Sequence, residues 1–282
     1  MIHPLLFRET VARALQEDLG RGDLTTDATV PPGVRAEGRL IAKANGVLAG
    51  AQVAAEAFRL VDGGLELELL LEDGARLAPG DEVLKVRGEA RSILMAERVA
   101  LNFVQRLSGI ATATARAVEA AQGTRAMVVD TRKTTPGLRV LEKYAVRVGG
   151  GRNHRFGLDD AVMIKENHIA AAGSIEAAVR SARAKIGHMH KIEVEVESLE
   201  QVDEALEAGA DVILLDNMDL ETMRRAVEKV GGRALVEASG GIRPDDVGKV
   251  ARTGVDVISL GWLTHSAPAL DLSLELAVLS RS

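Results

Sequence analysis

The chain has 282 residues, of which 46% are hydrophobic but only 2% are aromatic. That length predicts one large α/β domain, or a barrel with a smaller second domain, around a mainly aliphatic core. The net charge of −6 argues against a nucleic-acid-binding surface. The lack of cysteine excludes disulfides, thiolate metal sites and a cysteine nucleophile.

The N-terminal segment predicts a helix between Pro4 and Leu19, where apolar residues recur at helical spacing. Charged residues inside this pattern, such as Arg8 and Glu9, distinguish it from a signal peptide. No run approaches the roughly 18 apolar residues of a transmembrane helix. We therefore expect a soluble, cytoplasmic protein that contacts neither membrane nor nucleic acid.

The next part of the chain predicts a small α+β domain with a mainly antiparallel sheet. Residues 35–50 and 65–88 alternate like strands and are punctuated by turns, and residues 51–63 are helical in pattern. A long helical pattern covers residues 91–122, with an interruption expected at Ser108-Gly109.

After Gly123 the pattern changes to strands that alternate with helices, which predicts a parallel sheet. Six short apolar runs are typical of buried parallel strands: "AMVVD", "AVMIK", "KIEVEVE", "ADVILLD", "ALVEAS" and "VDVISLG". Helices are predicted between them at 137–148, 174–186, 199–208, 220–230 and 244–252.

Two architectures fit six such strands: a doubly wound sheet, or a barrel with fewer strands than the eight that usually take about 250 residues. Nearly every run ends in polar residues. In a barrel these ends form one ring, whereas an open sheet would spread them apart, so the pattern favours the barrel. The last segment, "PALDLSLELAVL", is interpreted as one more amphipathic helix that packs back onto the first domain.

The strand ends divide into a cationic and an acidic sector. The cationic sector contains Arg132, Lys133, Arg155 and Lys165, with His154 and His168 nearby; the acidic sector contains Glu195, Glu197 and Asp216. Glycine turns at Ser239–Gly241 and at Gly261 follow the last two strands, where barrels commonly bind phosphate. Two carboxylates suit Mg²⁺ or a ribose, so the sector pair predicts phosphoryl or phosphoribosyl chemistry on an acidic partner.

Simpler interpretations compete with each feature. Arg132 and Lys133 also fit a solvated loop, and Glu193, Glu195 and Glu197 fit the solvent face of an edge strand. The glycine-rich run "GGGRNHRFG" lacks a dinucleotide fingerprint, because His154 occupies the place of its last glycine. His188 and His190 are better interpreted as part of a surface turn than as a pair of metal ligands, since no third ligand is evident. Neither a Ser-His-Asp order nor a P-loop occurs.

The motifs together resemble those of the quinolinate phosphoribosyltransferases. They are "ERVALNFVQRLSGIAT", "TRKTTPGLR", "GGGRNHRFGLDDAVMIKENH", "IEVEVES", "LLDNM", "EASGGI" and "GVDVISLGWLTHS", in that order. The resemblance implies an α/β protein. Its N-terminal α/β sandwich domain would comprise residues 1–108, and a C-terminal helix at 268–282 would pack onto this domain. The resemblance also implies an incomplete α/β barrel over residues 109–267.

The same resemblance implies a reaction and an assembly. Quinolinate and phosphoribosyl pyrophosphate (PRPP), with Mg²⁺, would give nicotinate mononucleotide, pyrophosphate and CO₂ in NAD biosynthesis. The protein would form a homodimer, or a hexamer built as a trimer of dimers, with each active site at the subunit interface.

The resemblance also implies roles for individual residues. Lys133, Lys165, Glu195 and Asp216 would be catalytic, with Mg²⁺ held through PRPP near the two carboxylates. Arg98 would come from the neighbouring subunit. The substrate-binding set would be Arg98, Thr131, Arg132, Lys133, His154, Arg155, Lys165, Glu195, Asp216, Ser239, Gly240, Gly241, Leu260 and Gly261.

Three other functions stay open at this level. One is a related phosphoribosyltransferase for a different pyridine or aromatic acid. Another is a catalytically silent protein that binds phosphorylated metabolites, although such a protein is expected to have lost Glu195, Asp216 or Lys165. The third is a phosphate-binding barrel isomerase or synthase, which would not need the Arg98 segment.

Overall fold

A computed structural model describes residues 2–279, which divide into two compact units. Of the described residues, the first unit comprises 2–113, 135–150 and 267–279, and the second comprises Thr114–Thr134 and Gly151–Ser266. No helix within residues 2–279 is both long and apolar enough to cross a membrane.

The first unit is built on an antiparallel sheet, as the alternating sequence pattern predicts. Elements are numbered in chain order. After a 3₁₀ turn at Pro4–Leu6, the elements of this unit are α1 (Arg8–Leu19), α2 (Leu24–Thr29), β1 (Arg35–Ala42), β2 (Gly46–Val47), α3 (Ala51–Val61), β3 (Glu66–Leu69), β4 (Arg76–Leu77), β5 (Glu82–Glu89), the start of α4 (Ala90–Ala120), α5 (Arg139–Val148) and β12 (Leu272–Val278). The sheet has the strand order β12-β1-β5-β3, and β2 and β4 pair separately.

The helix predicted for residues 268–282 is wrong, because this segment forms β12. The run "LSLELAV" places leucine at every second position, which is the period of a strand rather than of a helix. It pairs antiparallel with β1 from Ala36↔Val278 to Ala42↔Leu272. Residues 280–282 of the predicted helix lie outside the described chain.

The predicted interruption of α4 at Ser108-Gly109 is also wrong, since the helix continues through both residues. Both residues serve close packing within the first unit. The Ser108 hydroxyl accepts from the Ala49 backbone N–H at 3.0 Å and donates to the Ala49 carbonyl at 3.2 Å. A Cβ on Gly109 would lie 2.0 Å from the Pro268 carbonyl oxygen, so only glycine admits this backbone.

The second unit contains the six predicted strands in one parallel sheet. Its strands are β6 (Met127–Val129), β7 (Val162–Ile164), β8 (Ile192–Val196), β9 (Val212–Asp216), β10 (Leu235–Ser239) and β11 (Val257–Ser259). Its helices are α6 (Glu166–Ala172), α7 (Ile175–Arg183), α8 (Leu199–Glu207), α9 (Leu220–Val230), α10 (Val247–Ala251) after a 3₁₀ turn at Pro244–Asp246, and α11 (Trp262–His265).

The strand order β6-β11-β10-β9-β8-β7 identifies an incomplete barrel. From β7 to β11, strands that are consecutive in the chain are neighbours, and the last strand, β11, pairs with the first, β6. A doubly wound sheet instead reverses direction at a switch point. The remaining gap lies between β6 and β7. Backbone at Arg152 borders this gap, where it donates to the Val128 carbonyl at 2.9 Å and accepts from the Asp130 N–H at 3.2 Å.

Candidate active site

A cavity of about 560 Å³ opens at the carboxyl ends of the barrel strands. All of its lining residues belong to the second unit. Eleven of the residues predicted from the sequence line it: Thr131, Arg132, Lys133, His154, Arg155, Lys165, Glu195, Asp216, Ser239, Gly240 and Gly241. These eleven residues of the predicted strand-end ring therefore converge on one cavity.

Three predicted residues do not line this cavity in the described chain. Leu260 is 1% exposed, and its N–H donates to the Val129 carbonyl at 3.0 Å, which makes it a packing residue here. Arg98 is exposed on α4 in the first unit. Gly261 adjoins Lys133, since a Cβ on this glycine would lie 2.8 Å from Lys133 Cδ.

Asp130 positions the segment that carries His154 and Arg155. It is fully buried at the end of β6, and its carboxylate accepts from the Asn153 side-chain amide and, at 2.9 Å, from the His154 backbone N–H. A buried carboxylate needs such donors to offset its lost hydration. The acidic residue that opens "DTRK" therefore fixes the segment that lies in the barrel gap.

Hydroxyl groups hold the backbone of Lys133 at the rim. The Lys133 N–H donates to Thr131 Oγ1 at 3.0 Å, and its carbonyl accepts from Thr264 Oγ1 at 2.7 Å. Thr264 is fully buried, so the loop after β6 is anchored to the short helix after β11. The Lys133 side chain remains exposed.

Lys165 links the cationic and acidic sectors through an ion pair with Glu195. The Glu195 side chain is only 16% exposed, whereas that of Lys165 is 46% exposed. The Lys165 side chain is therefore accessible from the cavity mouth, while its partner carboxylate lies closer to the barrel interior. His168, predicted to lie near the cationic sector, caps α6: its Nδ1 accepts the Lys165 backbone N–H at 3.0 Å.

Arg155 lies in a cationic part of the cavity. Burial, followed by the positive charge of Arg132, lowers the pKa of Arg155 from its ordinary value. Its guanidinium donates to the Ala161 carbonyl at 3.1 Å. The positive charges of Arg132 and Arg155 repel each other, so the arrangement favours binding of an anion that neutralises them.

Beneath these cations, His154 lies between two buried carboxylates. Its Nε2 is 3.2 Å from Glu193 Oε2 and 3.5 Å from Glu237 Oε1. Glu193 is 6% exposed and Glu237 is 3% exposed. The three groups come from the barrel gap, β8 and β10, and their polar atoms lie within 4.8 Å of one another.

The protonation of this cluster follows from its neighbours. Burial by itself would lower the pKa of His154, but the hydrogen bond to Glu193, the close contact with Glu237 and the charges of both carboxylates outweigh it and raise the pKa to about 10. The Arg155 backbone N–H, 2.7 Å from Nδ1, acts in the opposite direction because it favours an unprotonated Nδ1. A neutral hydrogen bond is weaker than two charge-assisted contacts, so we expect an imidazolium. Burial raises the pKa of Glu193, and Glu237 adds to that effect.

Sequence reasoning missed Glu237, although a signal was present. It is the single charged residue of the otherwise buried run "ALVEAS", and a charge inside a buried parallel strand requires a partner. Four further lining residues were not assigned as site residues: Met163, Leu214, Asn217 and Ser259.

Comparison with known proteins gives one consistent result. The family described as "Quinolinate phosphoribosyl transferase, C-terminal domain" matches residues 110–275, and the corresponding N-terminal domain matches residues 23–108. A Mycobacterium leprae protein named nicotinate-nucleotide pyrophosphorylase [carboxylating] is 48% identical over 275 residues, which cover 95% of this chain and 96% of that protein. A Bacillus subtilis protein with the name "Probable nicotinate-nucleotide pyrophosphorylase [carboxylating]" is 47% identical over 94% of this chain and 92% of its own length.

A solved structure has the same fold. The crystal structure of NadC from Streptococcus pyogenes superimposes with a TM-score of 0.95 at 47% identity, and 99% of each chain is covered.

The buried cluster generates a pH prediction. The Glu237→Gln variant removes one carboxylate charge, so the pKa of His154 falls from about 10 toward its ordinary 6.5. Because the pKa of His154 is raised in the folded state, its protonation stabilises the fold fully below pH 6.5, and this contribution is lost as the pH rises toward 10. In the variant, the decline in melting temperature therefore still begins near pH 6.5, but it is smaller and ends at a lower pH.

NMR titration of the six histidines, with melting curves at each pH, measures both effects. Glu176→Gln, at a surface pair with Arg180, is the control and leaves His154 unchanged. An unshifted His154 in Glu237→Gln would contradict the assignment of the charge.

Proposed function

Because this chain belongs to the quinolinate phosphoribosyltransferase family, we propose that it transfers the phosphoribosyl group of PRPP to quinolinate with loss of CO₂, giving nicotinate mononucleotide and pyrophosphate. The observation that carries this proposal is the single cavity in which cations, carboxylates and glycine turns converge. Neither substrate alone would need all three.

The cationic sector suits the dicarboxylate. Quinolinate carries two planar carboxylates on adjacent ring positions, and guanidinium groups bind such anions in a bidentate fork. Arg132 and Arg155 supply the forks, and Lys165 adds a third positive charge at the same rim. A monocarboxylate would leave part of this charge unneutralised, which favours quinolinate over nicotinate.

The acidic sector and the glycine turn suit the phosphoribosyl group. Glu195 and Asp216 end neighbouring strands β8 and β9, and Ser239–Gly241 follows β10. Carboxylates accept hydrogen bonds from ribose hydroxyls, while backbone N–H groups at a glycine turn bind phosphate. Lys133 at the opposite rim provides a point charge for the pyrophosphate.

Mg²⁺ fits the donor set at this end of the cavity. It prefers oxygen ligands and typically binds through one or two carboxylates together with substrate phosphates, and Glu195 and Asp216 offer such oxygens. Bound to PRPP, the ion would supply charge neutralisation for the leaving pyrophosphate. The side chains of the cavity would carry out the other steps.

The bond changes assign a task to each sector. When the bond from ribose C1 to pyrophosphate breaks, positive charge develops on the sugar, and Glu195 and Asp216 stabilise it. Lys133 takes up negative charge on the pyrophosphate. The pyridine nitrogen then bonds to C1 and becomes cationic. That cation stabilises the electron pair that stays on ring C2 when the carbon–carbon bond to the adjacent carboxylate breaks and CO₂ departs.

The carbanion left at ring C2 requires one proton, and Lys165 is our candidate donor. His154 is poorly placed for this step, because Nε2 faces Glu193 and Glu237 and Nδ1 faces the Arg155 N–H. Lys165 presents an exposed ammonium held by Glu195. The ion pair also keeps that ammonium between the two substrate sectors.

We further propose a homodimer in which each active site receives Arg98 from the neighbouring copy. Arg98 is exposed on α4, so its guanidinium can contact an anion that the neighbouring copy binds. A hexamer would repeat the same dimer contact three times.

Removal of the Lys165 ammonium tests the chemical assignment. Lys165→Ala should lower kcat/KM for quinolinate by about 10²-fold or more, as general acid–base groups typically contribute, while the melting temperature stays close to that of the wild type. Product formation is followed as nicotinate mononucleotide and as CO₂. Lys185→Ala, an exposed lysine after α7, is the matched control and keeps full activity. An unchanged kcat/KM in Lys165→Ala would sink the assignment.

Mixing two inactive variants tests the shared site. Subunits with Arg98→Ala and subunits with Lys165→Ala are unfolded together, refolded and assayed. In a hybrid dimer, one site combines intact Lys165 with intact Arg98 of the partner. Random pairing then restores about a quarter of wild-type activity, because half of the dimers are hybrids with one good site each. If Arg98 served its own subunit, the mixture would stay as inactive as its components.

A further inference from the structure

Asn217 has an unusual backbone conformation at the rim of the cavity. Its φ is +53°, and among the non-glycine residues described it alone has a positive value. It follows Asp216 directly at the end of β9 and lines the cavity. Left-handed backbone is unfavourable for residues with a Cβ, although asparagine tolerates it better than most. Such conformations concentrate at functional sites.

The side chain of Asn217 holds the Asp216 carboxylate. Its Nδ2 donates to Asp216 Oδ2 at 2.9 Å. Adjacent residues on an extended strand point to opposite faces, so an amide at this position can turn back onto its neighbour only after the chain has left the strand. The left-handed backbone of Asn217 provides that turn.

The same residue locks the glycine turn of β10 against β9. The Asn217 backbone N–H donates to the Ser239 carbonyl at 3.0 Å. Gly240 has a φ of +94°, and a Cβ there would lie 2.3 Å from Asn217 Oδ1 and 2.8 Å from its backbone nitrogen. Gly240 is therefore glycine at least partly because Asn217 occupies the space of its side chain. The two turns fix each other.

We propose that Asn217 is a positioning residue of the phosphoribosyl subsite, which orients the Asp216 carboxylate through its amide and sets the Ser239–Gly241 turn through its backbone. This inference rests on the proposed function. It makes the effect of Asn217 specific: loss of the amide should disturb PRPP and leave quinolinate recognition by Arg132 and Arg155 intact.

If Asn217 had a purely structural role, the loss of activity would follow the loss of stability. Two substitutions separate this alternative from the proposed role. Asn217→Gly and Asn217→Ala both lack the amide, but only glycine adopts the left-handed backbone without strain. The two variants should therefore differ in melting temperature, with Asn217→Gly at or above the wild type and Asn217→Ala below it. They should share the same defect toward PRPP.

The experiment measures kcat and both KM values, with Mg²⁺ present, for the wild type, Asn217→Gly, Asn217→Ala and Asn217→Asp. We expect kcat/KM for PRPP to fall about 10- to 100-fold in Asn217→Gly, the loss typical of a hydrogen bond to a charged group. KM for quinolinate should stay within about twofold of the wild type, since its arginines are untouched. Asn217→Asp keeps the shape, loses the donor and places a second negative charge beside Asp216, so its defect should be larger.

Two results would overturn the proposal. One is wild-type kinetics in a folded Asn217→Gly; the other is an equal loss toward both substrates that follows the melting temperature across the series. If Asn217→Gly fails to fold, Asn217→Asp carries the same comparison. An inactive wild-type protein would refute the proposed function instead, and calorimetric titration with PRPP and Mg²⁺ would then decide about Asn217: weaker binding in Asn217→Gly supports the role, and equal binding rejects it.

Discussion

A histidine held between two buried carboxylates is the constraint on which the site depends. Glu193 and Glu237 would each be costly inside the barrel without a cation, and His154 supplies it at 3.2 and 3.5 Å. The segment that carries His154 is in turn tied to β6 by Asp130. Arg155 follows directly on this segment. The buried charges thus hold Arg155, which lines the cavity, on a fixed segment.

Contacts between neighbouring loops continue this arrangement around the rim. Thr264 fixes the backbone of Lys133, and Asn217 fixes both Asp216 and the glycine turn after β10. Hydrogen bonds of this kind set the geometry before a substrate arrives, so little reorganisation is needed as charge develops in the transition state. The reacting groups need not be stabilised one by one, since each strand-end loop supports the next.

Much of the fold could be predicted because buried parallel strands leave a strong pattern. All six strand runs of the second unit form strands, and eleven of the predicted residues line one cavity. The errors came where two periods overlap or where packing decides. The alternating leucines of "LSLELAV" have the period of a strand, but the run is short, and its pairing with β1 decides the structure. Gly109 reads as a helix break, yet it admits the backbone of Pro268. Contacts between distant residues, such as Gly240 with Asn217, leave no local signal.

The most direct test of the account is a coupled assay of the unmodified protein with quinolinate, PRPP and Mg²⁺. Both nicotinate mononucleotide and CO₂ should appear, in equal amounts, and neither should form when nicotinate replaces quinolinate. Formation of a nucleotide without CO₂, or equal use of nicotinate, would contradict the claim that the paired cations select a dicarboxylate. Absence of both products from folded protein would assign the cavity to a different acid.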